Sequence, residues 1–512
     1  MSAPQPERGG PRRWLALAAC MLCACAPLSP RTSAPAHHAR PADAGALAEH
    51  GERVEARLAE QESAYWLLDD NAEALRVRIA LVDLAERTLD IQYFIWQDDM
   101  TGRLLMQHVL AAADRGVRVR FFVDDLGMVG RNDELAGLAA HPSVDVRLFN
   151  PWKVRFPPIR PFEFVFRIGV LNHRMHNKLL IADGRFGIVG GRNIGDRYFG
   201  VYEEFVQNDI DLMVAGPLLE DMARSFDTFW NSEHAHPVRA DGPEADARLA
   251  ALRRRCAASV AANETMLSAF GAPVEGWQDY FGAVMQSAMH GPGELYVDSP
   301  DVRADASSGL YEQFKSLLSR ARRELILSSP YLVPDEEFVA LLERLVQRGV
   351  RVRVLTNSLA SNSHVVAHSA YKDRRRELLE TGVELYEMRA DAEVLGRYRT
   401  PPADPNWLAL HTKAAVVDGR WSFVGSPNID PRSMVLNTEI GVVADDPELA
   451  GELTRLLNRD MRPENSWRVT LEPGGWLKWW NGDDALGRQP AKGFQQRAVE
   501  FFLNLIPIKN QA

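Results

Sequence analysis

Cysteine is almost missing from this chain. Four occur in 512 residues, and Cys20, Cys23 and Cys25 crowd into the first 25. Only Cys256 is left for the body of the protein, in the helix-like stretch ALRRRCAAS. A disulfide framework and a cysteine-rich metal site are both excluded. Positive charge is scarce as well: 59 Lys and Arg face 69 Asp and Glu, a formal net charge of −10. A chain of that sign is not a general nucleic-acid binder, so an anionic substrate must be met by local basic patches. Long apolar runs are absent too. Residues 14–24, WLALAACMLCA, form a run of 11, and no later segment is long enough to span a bilayer. No set of Asp, Glu and His shows convincing metal-ligand spacing, so neither metal nor cofactor is expected.

What is present is globular. Hydrophobic residues make up 46% and charged residues 25%, which allows a sizeable core and two to four domains. The N-terminus reads as a targeting segment. Arg12 and Arg13 precede the apolar run, which ends in LCAC with Cys25 placed as a lipidation site. LAAC, ending at Cys20, competes with it; an uncleaved anchor, an ordinary signal and a disordered tail are the other readings. Residues 1–25 are therefore assigned as a lipoprotein-type signal segment. Residues 26–50, rich in Pro, Ala and Ser without apolar period, are assigned as a disordered tether.

One stretch occurs twice. Residues 176–193 read HNKLLIADGRFGIVGGRN and residues 411–428 read HTKAAVVDGRWSFVGSPN. His176, Lys178, Asp183, Gly190, Gly191 and Asn193 recur at identical spacing as His411, Lys413, Asp418, Gly425, Ser426 and Asn428. The repeat is larger than the motif. RGVRVR appears at Arg115 and at Arg348, 61 and 63 residues ahead of the two histidines. Around it, LDIQYFIW, a helix at GRLLMQHVLAAADRG and VRVRFFVDD read strand, helix, strand. ELILSSPYLVP, EEFVALLERLVQRG and VRVRVLTNS repeat the unit. Such alternation predicts two homologous α/β domains, each a mainly parallel sheet flanked by helices. They are placed at 51–232 and 311–470. Residues 233–310 are expected to link them, and 471–512 form a Trp-rich, amphipathic end.

Within each copy, KLLIAD and GIVGG, like KAAVVD and SFVGS, predict two short strands joined by a DGR turn. Strand alternation sets His176 and Lys178 on one face, and likewise His411 and Lys413. Two imidazoles, two ammoniums and two amides suit phosphodiester chemistry without a metal. Lys178, Lys413, Asn193 and Asn428 can hold non-bridging oxygens. One histidine attacks phosphorus; the other protonates the leaving oxygen and then deprotonates the acceptor. Gly191 and Ser426 are small residues that let a phosphate approach the backbone. Each histidine needs a carboxylate on its other nitrogen. Asp183 and Asp418 are in the motif, but a turn aspartate can equally hold the hairpin. Asp209 and Glu439, which open equivalent strands after each motif, are the better candidates.

This duplicated HxKx4Dx6G(G/S)xN pattern resembles the phospholipase D superfamily. The stretches IQYFIWQDDMTGRLL, RMHNKLLIADG, VGGRNIGDRYFG, LTNSLASN, GVELYE and VGSPNIDPRSMVLNTEIG resemble bacterial cardiolipin synthases of the C type, over most of residues 60–510. The resemblance implies two halves about a pseudo-twofold axis, His176 as nucleophile, His411 as acid/base, and Asp209 and Glu439 as orienting groups. The leader departs from the general C-type pattern.

Two segments look membrane-directed. Residues 152–174 carry Lys153, Arg155, Arg160, Arg167 and Arg174 against Glu163, interleaved with aromatics, just ahead of His176. A core connector is the alternative. The end of the chain has Trp476, Trp479 and Trp480, then a helical face of Phe494, Ala498, Phe501, Phe502 and Leu505. Surface docking and closure of the second core both fit. His364 and His368 lie four apart on one helix without a third metal ligand, and by the resemblance His368 can line a head-group channel. Three functions remain. The first is a phosphatidyltransferase making cardiolipin from phosphatidylglycerol, with phosphatidylethanolamine as a candidate second phospholipid. The second is a phospholipase D hydrolase releasing phosphatidic acid. The third is a nuclease, against which the acidic total speaks. The expected partners are phospholipids and a membrane surface, with the catalytic part in the periplasm and no nucleic acid; oligomeric state is left open.

Overall fold

The computed structural model describes residues 35–153, 163, 169, 171–240, 242–271, 276–301, 309–493 and 495–497. Cys25 and the signal segment, most of the basic-aromatic stretch at 152–174, and the end face formed by Phe494, Ala498, Phe501, Phe502 and Leu505 lie outside these residues.

The two repeats fold alike. In the first, Asp70 caps the helix Asn71–Leu84 by accepting the Glu73 N–H, and Asp99 caps Met100–Asp114 through Gly102. In the second, Asp335 caps Glu336–Gln347 through Phe338. An acidic side chain there satisfies an N–H that has no partner within the helix. The helix before each RGVRVR strand ends at a glycine with positive φ, 93° at Gly116 and 84° at Gly349, a conformation costly for other residues.

The first half contributes strands β1 (Glu62–Leu68), β2 (Thr88–Tyr93), β3 (Arg118–Asp124), β4 (Val144–Phe149), β5 (Leu179–Ala182), β6 (Phe186–Gly190) and β7 (Asp211–Ala215). The second contributes β8 (Met289–Val297), β9 (Glu324–Ser328), β10 (Arg351–Asn357), β11 (Glu384–Met388), β12 (Ala414–Val417), β13 (Trp421–Gly425) and β14 (Ile440–Asp445). Pairing runs β4-β3-β2-β5-β6-β7-β1 in the first half. It runs β11-β10-β9-β12-β13-β14-β8 in the second. The order is the same strand for strand. β1 and β8 then pair antiparallel, Glu62 opposite Pro292, and fuse the halves into one sheet about a pseudo-twofold axis.

The expectation of a mainly parallel sheet holds only for the β2-β3-β4 and β9-β10-β11 cores, which the crossover helices connect. The sheet as a whole is mixed. Each motif folds as a hairpin, and hairpins add antiparallel neighbours. One apolar cluster is common to both halves. It joins Leu179, Val189 and Leu212 to Ala414, Val424 and Val442 beneath the helices Leu218–Trp230 and Pro447–Asp460. That shared core holds the two motifs in one frame.

Three regions differ from expectation. Residues 35–50, assigned to a free tether, pack on the first half: Ala42 and Leu47 are buried, and the helix Ala46–Glu55 begins there. The Ala42 N–H donates to the Asp183 carbonyl at 2.9 Å, and His38 Nδ1 meets Asp227 at 2.6 Å. Backbone and polar contacts pin this stretch, and those leave no apolar period to read. The described residues between 233 and 310 form built structure: the helix Ala245–Ala262 packs on Met100–Asp114 and Asn132–Ala139, and β8 follows. Cys256 is buried in that helix, and burial pushes its thiol up to about 11. At the C-terminal end Trp479 is core, its indole N–H donating to Glu387 at 2.8 Å, whereas Trp476 is 74% exposed. Among the described residues no helix is long and apolar enough to cross a membrane.

Candidate active site

The two motifs meet through an exchange of short strands. Arg174–Met175, just ahead of His176, pairs with Asn437–Thr438, just ahead of Glu439. Leu408–Leu410, just ahead of His411, pairs with Val206–Asn208, just ahead of Asp209. The backbone N–H of His176 donates to Thr438 O at 2.9 Å, and that of His411 to Asn208 O at 2.8 Å. Each imidazole is thus carried alongside the acidic residue of the opposite half. His176 Nδ1 lies 2.8 Å from Glu439 Oε2, and His411 Nδ1 is hydrogen-bonded to Asp209 Oδ2. A carboxylate on Nδ1 fixes the tautomer with the proton there and leaves the Nε2 lone pair free.

These four residues and the paired lysines are all buried. Burial pushes His176 down to about 4, with Lys178 adding to it against Glu439. His411 is held well below the ordinary histidine value by burial, Lys413 and Lys178. Burial also draws Lys178 down to about 7 and Lys413 to about 8. Each ammonium donates to the carbonyl of its own histidine, and neither has a carboxylate within ion-pair distance among the described residues. Burial pushes both carboxyls up. At Glu439, His176, Lys178 and Ser426 outweigh it and keep the carboxylate anionic; Asp209 stays above its ordinary value despite Lys413 and Arg192. An anion seated among the imidazoles and ammoniums would favour their charged forms.

The remaining sequence candidates divide. Asn193 is held by Ile95, whose N–H it accepts at 3.2 Å, and by Tyr198, to whose hydroxyl it donates at 3.0 Å. Asn428 Oδ1 is buried and has no partner among the described residues. Gly191 and Ser426 face the carboxylates, which corrects their assignment to the phosphate. A Cβ at Gly191 would stand 3.0 Å from Asp209 Cγ, and Ser426 Oγ donates to Glu439 Oε2. Asp183 and Asp418 are corrected as well. They lie at the far ends of β5 and β12, about 15 Å along the strand from the lysines. Asp183 accepts the N–H groups of Glu86, Arg87 and Thr88 at 2.8–2.9 Å, and Asp418 those of Arg322, Arg323 and Glu324 at 2.7–3.0 Å. Both turn residues have positive φ, 52° and 54°, followed by glycine, as this hairpin requires. Their role is to tie the motif hairpin to the start of β2 and of β9. Of the spaced histidines, His368 packs with Tyr371, Arg375 and Gln489; His364 lies closer to the cluster, beside Tyr331.

Several participants carry no motif signal. Phe94 packs edge-on against His176 with ring centres 5.0 Å apart, and Tyr198 against His411 at 5.4 Å. Arg192, fully buried, bonds Asp211 at 2.7 Å and the Asp209 carbonyl, and so steadies the strand that presents Asp209. Asp298 accepts the Glu439 N–H at 3.0 Å. Arg192 lies inside the first motif, where its position was readable; Asp298 and Phe94 are placed by the fold alone.

Comparison with known proteins agrees with this architecture. The solved phosphatidylserine synthase of Haemophilus influenzae shares this fold: it superposes over 89% of this chain and 98% of its own, with a TM-score of 0.55 at 14% identity. Residues 79–230 and 314–461 match the family model described as cardiolipin synthase, PLD-like domain. Cardiolipin synthase C of Escherichia coli is 35% identical over 455 residues, 86% of this chain and 94% of that protein. Cardiolipin synthase A of Pseudomonas putida GB-1 is 26% identical over 77% of this chain and 67% of its own. The chain belongs to the cardiolipin synthase family of phospholipase D-like proteins.

Proposed function

We propose that this protein is a phosphatidyltransferase that makes cardiolipin from phosphatidylglycerol and a second phospholipid. The observation that carries the reading is the exchanged pair: two neutral imidazoles, each fixed at Nδ1 by a carboxylate of the other half, beside two buried ammoniums with no carboxylate in ion-pair distance among the described residues. A donor phospholipid sets its phosphodiester among these groups, with Lys178, Lys413 and Asn428 on the non-bridging oxygens. The His176 Nε2 lone pair attacks phosphorus in line. The P–O bond to the head-group alcohol breaks, and that oxygen takes a proton from His411, which the bound phosphate has helped to protonate. A phosphatidyl-histidine results. The hydroxyl of phosphatidylglycerol then gives its proton to His411 Nε2 and attacks phosphorus. The P–N bond breaks and His176 is restored. Two steps with one acid/base explain why two motif copies share one site.

The protein works at a membrane surface in this reading, exported and held there by lipid at Cys25, with exposed Trp476 as a contact. The test uses purified protein, labelled phosphatidylglycerol with and without phosphatidylethanolamine, and single-stranded DNA, all in chelator. Cardiolipin is the expected product. Phosphatidic acid alone would make the protein a hydrolase, and DNA cleavage without lipid turnover would overturn both lipid readings.

A further inference from the structure

One buried hydroxyl beside the histidines has no task in the reaction as described. Tyr198 is buried and packs edge-on against His411, with ring centres 5.4 Å apart. Its backbone is fixed on both sides. The Tyr198 N–H donates to Gly195 O at 2.9 Å in the short turn Asp196–Tyr198, and its carbonyl accepts from Arg192 Nε at 3.1 Å. The same guanidinium donates to the Asp209 carbonyl. One buried arginine thus steadies both the residue on Nδ1 of His411 and the ring packed against that imidazole. Where the hydroxyl proton points follows from Asn193. Oδ1 of Asn193 accepts the Ile95 N–H at 3.2 Å, which only an oxygen can do, so the amide orientation is settled. Nδ2 is then the atom 3.0 Å from the Tyr198 oxygen, and an NH2 group only donates. Tyr198 therefore accepts there, and its own proton has to go elsewhere. Among the described residues its hydroxyl has no second hydrogen-bond partner. Burial holds the hydroxyl above the ordinary tyrosine range, so it stays protonated at neutral pH. The second copy carries no ring at this place. Five residues past Asn428 stands Ser433, whose oxygen accepts the Asn428 N–H at 3.1 Å.

A buried donor without an acceptor is rare unless the acceptor arrives with a ligand. In the proposed reaction that ligand is a phosphodiester, and Lys178, Lys413 and Asn428 reach its non-bridging oxygens. Asn193, the match of Asn428 in the first copy, spends its amide on Ile95 and Tyr198 instead. We propose that Tyr198 is a further catalytic residue: its hydroxyl donates a hydrogen bond to a non-bridging oxygen of the lipid phosphate, taking over the contact that Asn193 does not make. Asn193 supports it from behind, because a phenol that accepts a hydrogen bond is a better donor in the next. The contact tightens as negative charge gathers on that oxygen, first when His176 attacks and again when the acceptor hydroxyl does. Tyr198 keeps its proton throughout, and no covalent bond to it forms or breaks. The inference deepens the reading above and rests on its attack on a lipid phosphodiester.

The experiment gives the full-length enzyme labelled phosphatidylglycerol and its two phosphorothioate diastereomers, in which sulfur replaces one or the other non-bridging oxygen. Consumption of donor is followed, so transfer and hydrolysis both count. Tyr198→Phe keeps the ring against His411 and removes the hydroxyl. It should slow the oxygen donor about 10- to 100-fold, the scale of one donor lost from a charge-stabilising set. The same loss should appear with the diastereomer that leaves oxygen at Tyr198. It should be severalfold smaller with the one that sets sulfur, a poor acceptor, against the hydroxyl. Each loss compares variant and wild type on one donor, so the pattern across donors does not depend on how much of the variant is folded. Equal loss on all three donors would mark a tyrosine that only holds Asn193 or packs on His411, and would overturn the assignment. A loss below about twofold on the oxygen donor would overturn it as well. A ring-fluorinated tyrosine at 198 keeps the shape and makes the hydroxyl a stronger donor. It should move the rate ratio of the two diastereomers in the sense opposite to phenylalanine, and an unchanged ratio again counts against the contact. In all these cases the lipid reading stands. Wild type that consumes none of the three donors would overturn that reading and the assignment together.

Discussion

Replacing Glu439 with Gln tests whether the carboxylate of one half serves the histidine of the other. Oε2 of Glu439 receives both the His176 Nδ1–H and the Ser426 hydroxyl, while Oε1 is buried with no partner among the described residues. The amide oxygen can replace Oε2 and keep the tautomer. Its NH2 group then fills the buried Oε1 position. Two costs follow. A charge-assisted hydrogen bond becomes a neutral one, a difference of about 1–1.5 kcal/mol. The negative charge that stabilises His176 as it turns cationic on phosphorus is also lost. If the amide flips instead, His176 takes the wrong tautomer, which in other imidazole–carboxylate pairs costs about 10⁴-fold. The expected loss is therefore about 10²- to 10⁴-fold, roughly 3–5 kcal/mol in the barrier. The assay is single-turnover formation of the phosphatidyl-enzyme from labelled donor. Asp209→Asn should slow the second step instead, so that the adduct builds up. A Glu439→Gln enzyme within threefold of wild type would refute the cross-half pairing as a working contact.

Other substitutions separate structure from chemistry. Asp183→Ala removes an acceptor shared by three backbone N–H groups at a positive φ. It should lower unfolding free energy in denaturant melts by about 2–4 kcal/mol, with little change in rate per folded molecule. Gly191→Ala drives a methyl into Asp209 and should cut turnover about 10²-fold or more, without a comparable drop in melting temperature. Trp479→Ala should cost about 3–5 kcal/mol of stability, whereas Trp476→Ala should weaken sedimentation with anionic vesicles and leave the melt unchanged. Lys178 and Lys413 are drawn down to about 7 and about 8, so their charge is present below those values and lost above them. kcat/KM measured against pH should fall across that range, and a flat profile to pH 9 would show that the ammoniums are not needed in the free enzyme.

The strand-helix-strand units were legible because crossover helices and buried strands leave strong periods, and the duplication doubled the signal. Sheet polarity was not. KLLIAD and KAAVVD have the same apolar run whichever direction their neighbours take. His176, Lys178, His411 and Lys413 could be placed on common faces from alternation alone. That Asp209 and Glu439 matter was readable from their equivalent positions. Their exchange between halves was not, because it depends on two-residue and three-residue strands too short to carry a pattern. Asp183 and Asp418 show the opposite failure: fixed spacing marks a residue as required without saying for what. Their turn geometry answers that.

The covalent intermediate gives the most direct test. A phosphatidyl ester of p-nitrophenol needs no acid to release its alcohol, so the first step can run in His411→Ala. With a labelled acyl chain, that variant should release one equivalent of p-nitrophenol and retain the label on the protein, at His176. His176→Ala should retain none. Label found on His411 in His176→Ala would reverse the roles, and labelled product formed with no adduct in either variant would contradict a histidine intermediate altogether.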